Sequence, residues 1–217
     1  MTSQGRIVRT HDSVDNGLTK PLKIVVTGPF SAGKTTLIQT ISEIAIVGTE
    51  REVSDETSSI KENTTVAMDF GRITFPNGAC LFLFGTPGQR RFEVMWEVLS
   101  DGMIGFIVLV NAADDRSLNE AQHIFETFKK YADVPYVVGI THLDEADVDA
   151  AEIESAVREK LELSADDRTI FCDVREREDV KTLIIETLMG VMARLEAAES
   201  AESAESAEDG AQENARV

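Results

Sequence analysis

Eight residues, Gly28-Pro29-Phe30-Ser31-Ala32-Gly33-Lys34-Thr35, constrain this chain more than any others. They fit the pattern G-x-x-x-x-G-K-[ST]. A short β-branched run, Leu22–Val26, precedes them, and Leu37, Ile38, Ile41, Ile44 and Ala45 follow at helical spacing. Strand, glycine loop and helix in that order make a phosphate cradle. The glycines let the backbone wrap a polyphosphate with successive N–H groups aimed at it, and the helix adds the positive end of its dipole. Lys34 is placed to reach the β- and γ-phosphates, and the Thr35 hydroxyl to ligate Mg2+.

The rest of the composition narrows the ligand. A net charge of −18 over 217 residues argues against non-specific nucleic-acid binding and against docking on anionic lipid. Cys80 and Cys172 both lie in apolar runs, so no disulfide framework is expected. Met1 to Lys20 is polar throughout, neither end carries a lipidation signal, and the apolar stretch Met103–Val110 is too short for a membrane span. A cytoplasmic protein with no direct membrane anchor is the expectation.

Organisation follows from periodicity. Residues 1–21 read as a flexible N-terminal arm, and Val47 to Asn63 as a long surface loop. Thr65–Phe75 reads as a strand whose apolar parity changes at Gly71, as at a bulge. Pro76-Asn77-Gly78 turns the chain, and Cys80–Phe84 returns antiparallel. The loop Gly85–Gln89 follows, then a helix carrying Phe92, Met95, Trp96 and Leu99. Strands over 104–110, 136–140 and 169–172 alternate with helices. The first of these helices is headed by a capping box of Ser117 and Glu120, and the last carries Val180, Leu183, Leu188 and Leu195. The alternation predicts an α/β, P-loop NTPase fold with a doubly wound, mostly parallel six-stranded sheet and one antiparallel edge strand. The loops after its strands should converge on one ligand. Residues 22–195 form the expected folded domain. Residues 196–217, with their Glu-Ser-Ala repeat, form an acidic low-complexity tail expected to fray rather than prolong the last helix.

Two further signals suit a nucleoside triphosphate. Thr65 stands where the long loop enters the second strand, placed to close over a γ-phosphate and ligate the metal. Gly88 could offer its N–H to that phosphate, and Gln89 could orient an attacking water. Thr141-His142-Leu143-Asp144 follows the fifth strand, the place of a guanine-reading [NT]-K-x-D motif. A carboxylate there accepts from both N1–H and N2–H₂ of guanine, a pair that adenine does not offer.

The stretches Gly28–Thr36, Thr64–Gly71 and Phe84–Gln89 resemble prokaryotic Ras-like small GTPases. Within these the similarity is to the CvnD-type GTP-binding proteins of bacterial conservon operons and, more distantly, to the polarity GTPase MglA. The resemblance covers about residues 22–195. It implies a switch, GTP-bound on and GDP-bound off, working with a small roadblock-fold partner. It implies phosphate contacts from Gly28, Ser31, Ala32, Gly33, Lys34, Thr35 and Thr36, and base contacts from Thr141, His142 and Asp144. Asp173, Val174 and Arg175 match the S-A-K loop, with the Val174 N–H meeting guanine O6 and Arg175 packing over the ring.

The sequence departs from the broader Ras pattern at three places. The magnesium-side Asp that opens D-x-x-G is Gly85, and Asp69 is the candidate replacement, as in MglA-like proteins. The guanine-motif lysine is His142, whose imidazole could stack in its stead. Thr64 stands where a built-in arginine finger could sit, and Arg90 and Arg91 read as a solvated face, so unaided hydrolysis should be slow. Phe92 and Trp96 are either core or a surface at the edge of a partner interface. The reading is a GTPase with Lys34, Gly88 and Gln89 as catalytic groups and Thr35, Thr65 and Asp69 on the metal. Its rivals are a nucleotide-locked scaffold that scarcely hydrolyses and an ATP-dependent P-loop enzyme.

Overall fold

The computed structural model describes residues 22–45 and 68–214, with side chains as far as Ala201. The arm at 1–21, the loop at 47–63 and Thr65 lie outside the described residues. Six strands form one sheet: β1 (Leu22–Thr27), β2 (Asp69–Thr74), β3 (Cys80–Gly85), β4 (Gly105–Asn111), β5 (Tyr136–Thr141) and β6 (Thr169–Phe171). Their order is β2-β3-β1-β4-β5-β6, parallel throughout except for the β2–β3 hairpin at one edge. This is the doubly wound arrangement expected of a P-loop NTPase.

The central strands β1, β4 and β5 are buried on both faces, which is why they read as continuous apolar runs. Alternate residues serve opposite layers. Ile24, Val26, Ile107 and Leu109 meet Leu37 and Ile38 of α1 (Lys34–Ile41) and Val180 and Leu183 of α5 (Arg177–Asn214). Val25, Phe106 and Val108 meet Trp96 of α2 (Glu93–Ser100), Ile124, Phe125 and Phe128 of α3 (Asp115–Tyr131) and Val157 of α4 (Ala150–Lys160). The chain runs from β1 out to one edge and returns to β4 on the other side. The loop after β1 therefore lies at the switch point, where such sheets bind ligands.

Three local expectations are corrected. Gly71 is not a bulge: the β2–β3 register runs unbroken from Asp69↔Gly85 to Thr74↔Cys80. Glycine is needed there because α1 packs on it, and a Cβ would stand 2.6 Å from Ile38 Cγ2. Ser117 does not cap α3. Asp114 does, accepting from Arg116 N, while Ser117 Oγ is buried and accepts from Asn111 N at 2.9 Å. The Glu-Ser-Ala stretch continues α5 to Asn214 instead of fraying. Alanine and glutamate are strong helix formers, so the backbone needs no buried face to hold that shape. Among the described residues no helix is long and apolar enough to cross a membrane.

Candidate functional site

The loop between β1 and α1 has positive φ at Gly28 (140°), Ser31 (61°) and Gly33 (90°), the change of backbone hand from which anion-binding concavities are made. A Cβ on Gly28 would lie 2.4 Å from the Leu109 carbonyl oxygen, so no side chain fits. Lys34, the first residue of α1, is 8% exposed and donates from Nζ to the carbonyls of Gly28 (2.8 Å) and Pro29 (2.5 Å). Burial lowers its pKa to about 8, with the carboxylates of Asp69 and Glu120 pulling the other way. A buried cation whose partners are neutral carbonyls is one that an anion would stabilise.

Next to it, Thr35 Oγ1 donates to Asp69 Oδ2 at 2.5 Å. Asp69 is the direct cross-strand neighbour of Gly85. A Cβ on residue 85 would come within 2.9 Å of Asp69 Cβ and 3.1 Å of its Oδ2. The two positions share one space, which here belongs to the carboxylate on β2. Among the described residues no three His, Cys, Asp or Glu side chains gather as a metal cage. Magnesium needs none, since it takes one or two carboxylates together with substrate oxygens and water. The donors fit: the Thr35 hydroxyl hydrogen is given to Asp69, leaving the oxygen lone pairs available to a cation.

The loop after β3 rests on the phosphate loop. A Cβ on Gly88 would stand 2.6 Å from Phe30 N and 2.7 Å from the Pro29 carbonyl carbon. Thr86 is anchored beneath, its N–H donating to Val26 O (3.0 Å) and its hydroxyl bonded to that of Thr27 (2.8 Å). Gln89 is exposed at the start of a single 3-10 turn, Arg90–Phe92. Arg90 and Arg91 are exposed as expected, and Phe92 is half-buried. Trp96 proves to be core and not an interface edge: it is fully buried and its Nε1 donates to Pro87 O at 2.8 Å. The exposed apolar face of α2 is Val94 and Val98, 72% and 70% exposed and one turn apart.

At the other end, a hollow of about 220 Å³ is lined by Gly33, Thr36, His142, Asp144, Glu145, Asp173, Val174 and Arg175. Loops after β5 and β6 thus bring the sequence-predicted base residues together beside α1. Thr141 ties them to the phosphate loop, its hydroxyl hydrogen shared between Ala32 O and Val110 O, each at 3.2 Å. His142 takes a left-handed backbone (φ 58°), with Nδ1 at 2.9 Å from Thr141 Oγ1. Arg175 holds two carboxylates. Its Nη2 reaches Asp144 Oδ2 (2.8 Å) and Asp173 Oδ2 (2.7 Å), and its Nε reaches Asp173 Oδ1 (2.8 Å). The Arg175 hydrogen bonds pull the Asp173 carboxyl down to about 2.

Sequence reasoning passed over two residues at this site. Asn111, which ends β4, donates from Nδ2 to Ser31 O (3.3 Å), and Thr86 is the buried post described above. Both are polar residues at the ends of apolar strands, a signal that was available. A larger hollow of about 460 Å³, lined by Pro135, Tyr136, Arg168, Met189 and Arg194 among others, contains none of the residues singled out in the sequence.

Comparison with known proteins places the chain in a family. A family model described as "Conserved hypothetical ATP binding protein" matches residues 46–208, three-quarters of the chain, and the chain belongs to that family. A Methanocaldococcus jannaschii protein named only as uncharacterized is 30% identical over 133 residues, covering 61% of this chain and 77% of its own length. Translation initiation factors IF-2 of Rickettsia bellii and Malacoplasma penetrans are 25% and 28% identical over 153 and 141 residues. These alignments cover 69% and 65% of this chain but 16% and 21% of the factors, so the chain spans about a fifth of their length or less. The chain is a nucleotide-binding P-loop protein with distant similarity to IF-2.

Proposed function

We propose that this member of the conserved hypothetical ATP binding protein family is a GTP/GDP switch, a GTPase that hydrolyses slowly until a partner assists. One observation carries the reading: the Thr141 hydroxyl is bonded to Ala32 O of the phosphate loop. The bond joins the loop that bears Asp144 to the loop that bears Lys34, so a base read by one and a phosphate held by the other belong to a single ligand. The Ras-like resemblance, to the CvnD-type proteins and MglA, supports the same reading.

Magnesium, when bound, would offset charge on the β- and γ-phosphate oxygens. Thr35, oriented by its bond to Asp69, holds the metal from the protein side, and Asp69 acts in place of residue 85, directly or through water. Thr65 completes this set. Gly28, Ser31, Ala32, Gly33 and Thr36 wrap the phosphates, while Lys34 turns from two loop carbonyls to phosphate oxygens and neutralises them. The Gly88 N–H meets the γ-phosphate, and Gln89, exposed in the present arrangement, orients the water. Ordering Gln89 is the step left to a partner. Exposed Val94 and Val98 on α2, with Phe30 (67% exposed) in the phosphate loop, offer that partner an apolar surface beside the site. A roadblock-fold protein is the partner that the resemblance implies. Asp144 selects guanine, aided by Thr141, His142, Asp173 and the Val174 N–H. The switch works in the cytoplasm through residues 22–195, with 1–21 and 196–217 as appendages.

The nucleotide carried by purified protein, followed by GTP turnover with Mg2+, tests this reading. Bound GDP with slow cleavage is expected, and single-turnover hydrolysis should fall in Gln89→Leu. Bound GTP never cleaved by either form would make the protein a scaffold. A second reading, an ATP-dependent enzyme, is favoured by the family's description. Bound ATP, or ATP outcompeting GTP, would establish it.

A further inference from the structure

The carboxylate that would read guanine already has a partner. Arg175 Nη2 donates to Asp144 Oδ2 at 2.8 Å while Nη2 and Nε grip both oxygens of Asp173. The guanidinium also forms part of the wall of the 220 Å³ hollow, so a base enters beside it. Its grip on the two acids is unequal. Asp173 lies two residues away, receives the Arg175 backbone N–H as well (2.9 Å) and accepts from two side-chain nitrogens. Asp144 comes from the other loop and receives one side-chain nitrogen. Release from Asp144 therefore leaves the arginine still held by Asp173. Both partners are more than half exposed, at 59% and 58%, so water replaces the lost bond readily.

We propose that Arg175 is a specificity-determining latch on the base subsite, which competes with guanine for Asp144 and so narrows the preference for guanine over adenine. The inference rests on the nucleotide reading above and concerns the same hollow. Guanine asks both oxygens of Asp144 to face its N1–H and N2–H₂ groups, and the Arg175 bond draws the charge and orientation of Oδ2 away from the base. Guanine therefore binds best when Arg175 rests on Asp173 alone. Adenine, which offers Asp144 no such pair, enters without breaking the latch. The ion pair is exposed and solvated, which limits its effect to several-fold and makes it sensitive to salt.

The experiment measures GDP, IDP and ADP affinities by calorimetry for the full chain and for Arg175→Ala, Arg175→Gln and Asp173→Asn, at low and at high salt. The side chain is exposed, so both arginine variants should keep the parental melting temperature. Removing the guanidinium should raise the GDP:ADP affinity ratio by up to about fivefold, the upper end for one exposed ion pair. It should also raise the GDP:IDP ratio, because inosine lacks the amino group that a released Asp144 reads. Asp173→Asn should lower the GDP:ADP ratio, since the arginine then has only one carboxylate left. High salt should raise that ratio in the parent and leave Arg175→Ala unmoved. A general structural role for Arg175 would change all three affinities together and leave the ratios alone. Unchanged ratios overturn the latch, and a falling GDP:ADP ratio in Arg175→Ala overturns it in favour of direct contact with guanine. If the parent binds no purine nucleotide, the proposed function fails and the latch with it. If the parent binds nucleotides with ratios indifferent to residue 175, only the latch fails.

Discussion

The two ends of the candidate site are built on opposite principles. At the phosphate end Lys34 is buried, its contacts are backbone carbonyls, and Asp69 and Gly85 share one space so tightly that a second side chain does not fit. At the base end Asp144 and Arg175 are mostly exposed and meet as charged side chains in water. Burial makes the first end strong and intolerant, because a buried charge that loses its partners costs several kcal/mol. Exposure makes the second end weak and adjustable, because solvent substitutes for any partner that is removed. A single ligand would thus be held at one end and sorted at the other.

The largest effect should come from the buried end. Lys34→Ala removes the one cation inside the loop, and two charge-assisted hydrogen bonds are worth about 3 kcal/mol or more, so nucleotide affinity should fall at least about a hundredfold. Calorimetry with GDP and Mg2+ measures it. A loss of less than tenfold would mean that the phosphate end is not the stronger one.

The second effect tests the shared space. Asp69→Ala should abolish most of the magnesium dependence of GDP affinity, about tenfold or more, without unfolding a half-exposed strand. Gly85→Asp alone should destabilise the protein, since its Cβ meets Asp69 Cβ and Ile38 Cδ1, both at 2.9 Å. Combining Gly85→Asp with Asp69→Gly removes the first of these clashes and moves the carboxylate back to β3. Restored magnesium dependence in the double variant, read by GDP titrations with and without EDTA, is the expected outcome. A double variant as inert as Asp69→Ala would show that the carboxylate acts only from β2.

These two ends also differ in how far the sequence disclosed them. The phosphate loop was legible because its residues are contiguous, and the spacing of Gly28, Gly33 and Lys34 is itself the geometry. Asp69 could be named as a candidate, but its bond to Thr35 depends on cross-strand register, which only the paired strands reveal. Gly71 misled because a change of apolar parity looks the same whether a strand bulges or a helix presses on a glycine. Helical spacing alone leaves Trp96 undecided, because it shows which residues share a face and not what that face meets. The bond from its indole to Pro87 O decides the matter. The orientation of Arg175 lay beyond the sequence altogether, since Asp144 and Asp173 come together only through two separate loops.

A smaller change is expected at the exposed end. Asp144→Asn keeps the shape of the base subsite but removes the negative charge and one acceptor, so GDP affinity should fall while ADP affinity stays nearly constant. A loss of about 1 kcal/mol, less than a buried hydrogen bond to a charged group because Asp144 is exposed, corresponds to roughly fivefold in the GDP:ADP ratio. His142→Lys should move the same ratio only a few-fold, since a solvated stem over the base adds contact area and little else. Equal losses for both nucleotides in Asp144→Asn would show that the base end, like the phosphate end, only holds.

The least change is expected at Cys172, directly beneath the base loop. Its thiol is 4% exposed and its pKa is raised to about 12, mainly by burial and further by the negative charges of Asp179 and Asp173. At pH 8 only about one thiol in ten thousand would be thiolate, against a sizeable fraction for an ordinary cysteine, so alkylation at this position needs the loop to open. Cys80, half-exposed on the edge hairpin, serves as the internal control. Native-state labelling followed by mass spectrometry should therefore modify Cys80 and leave Cys172 untouched, with or without GDP. If the base end is adjustable only in its exposed charges, it changes partners without parting from the sheet, and Cys172 stays silent. Rapid labelling of Cys172 that GDP suppresses would show instead that the whole segment from Cys172 to Arg175 opens, and the contrast between a rigid end and a tunable one would become a contrast between a closed end and a mobile one.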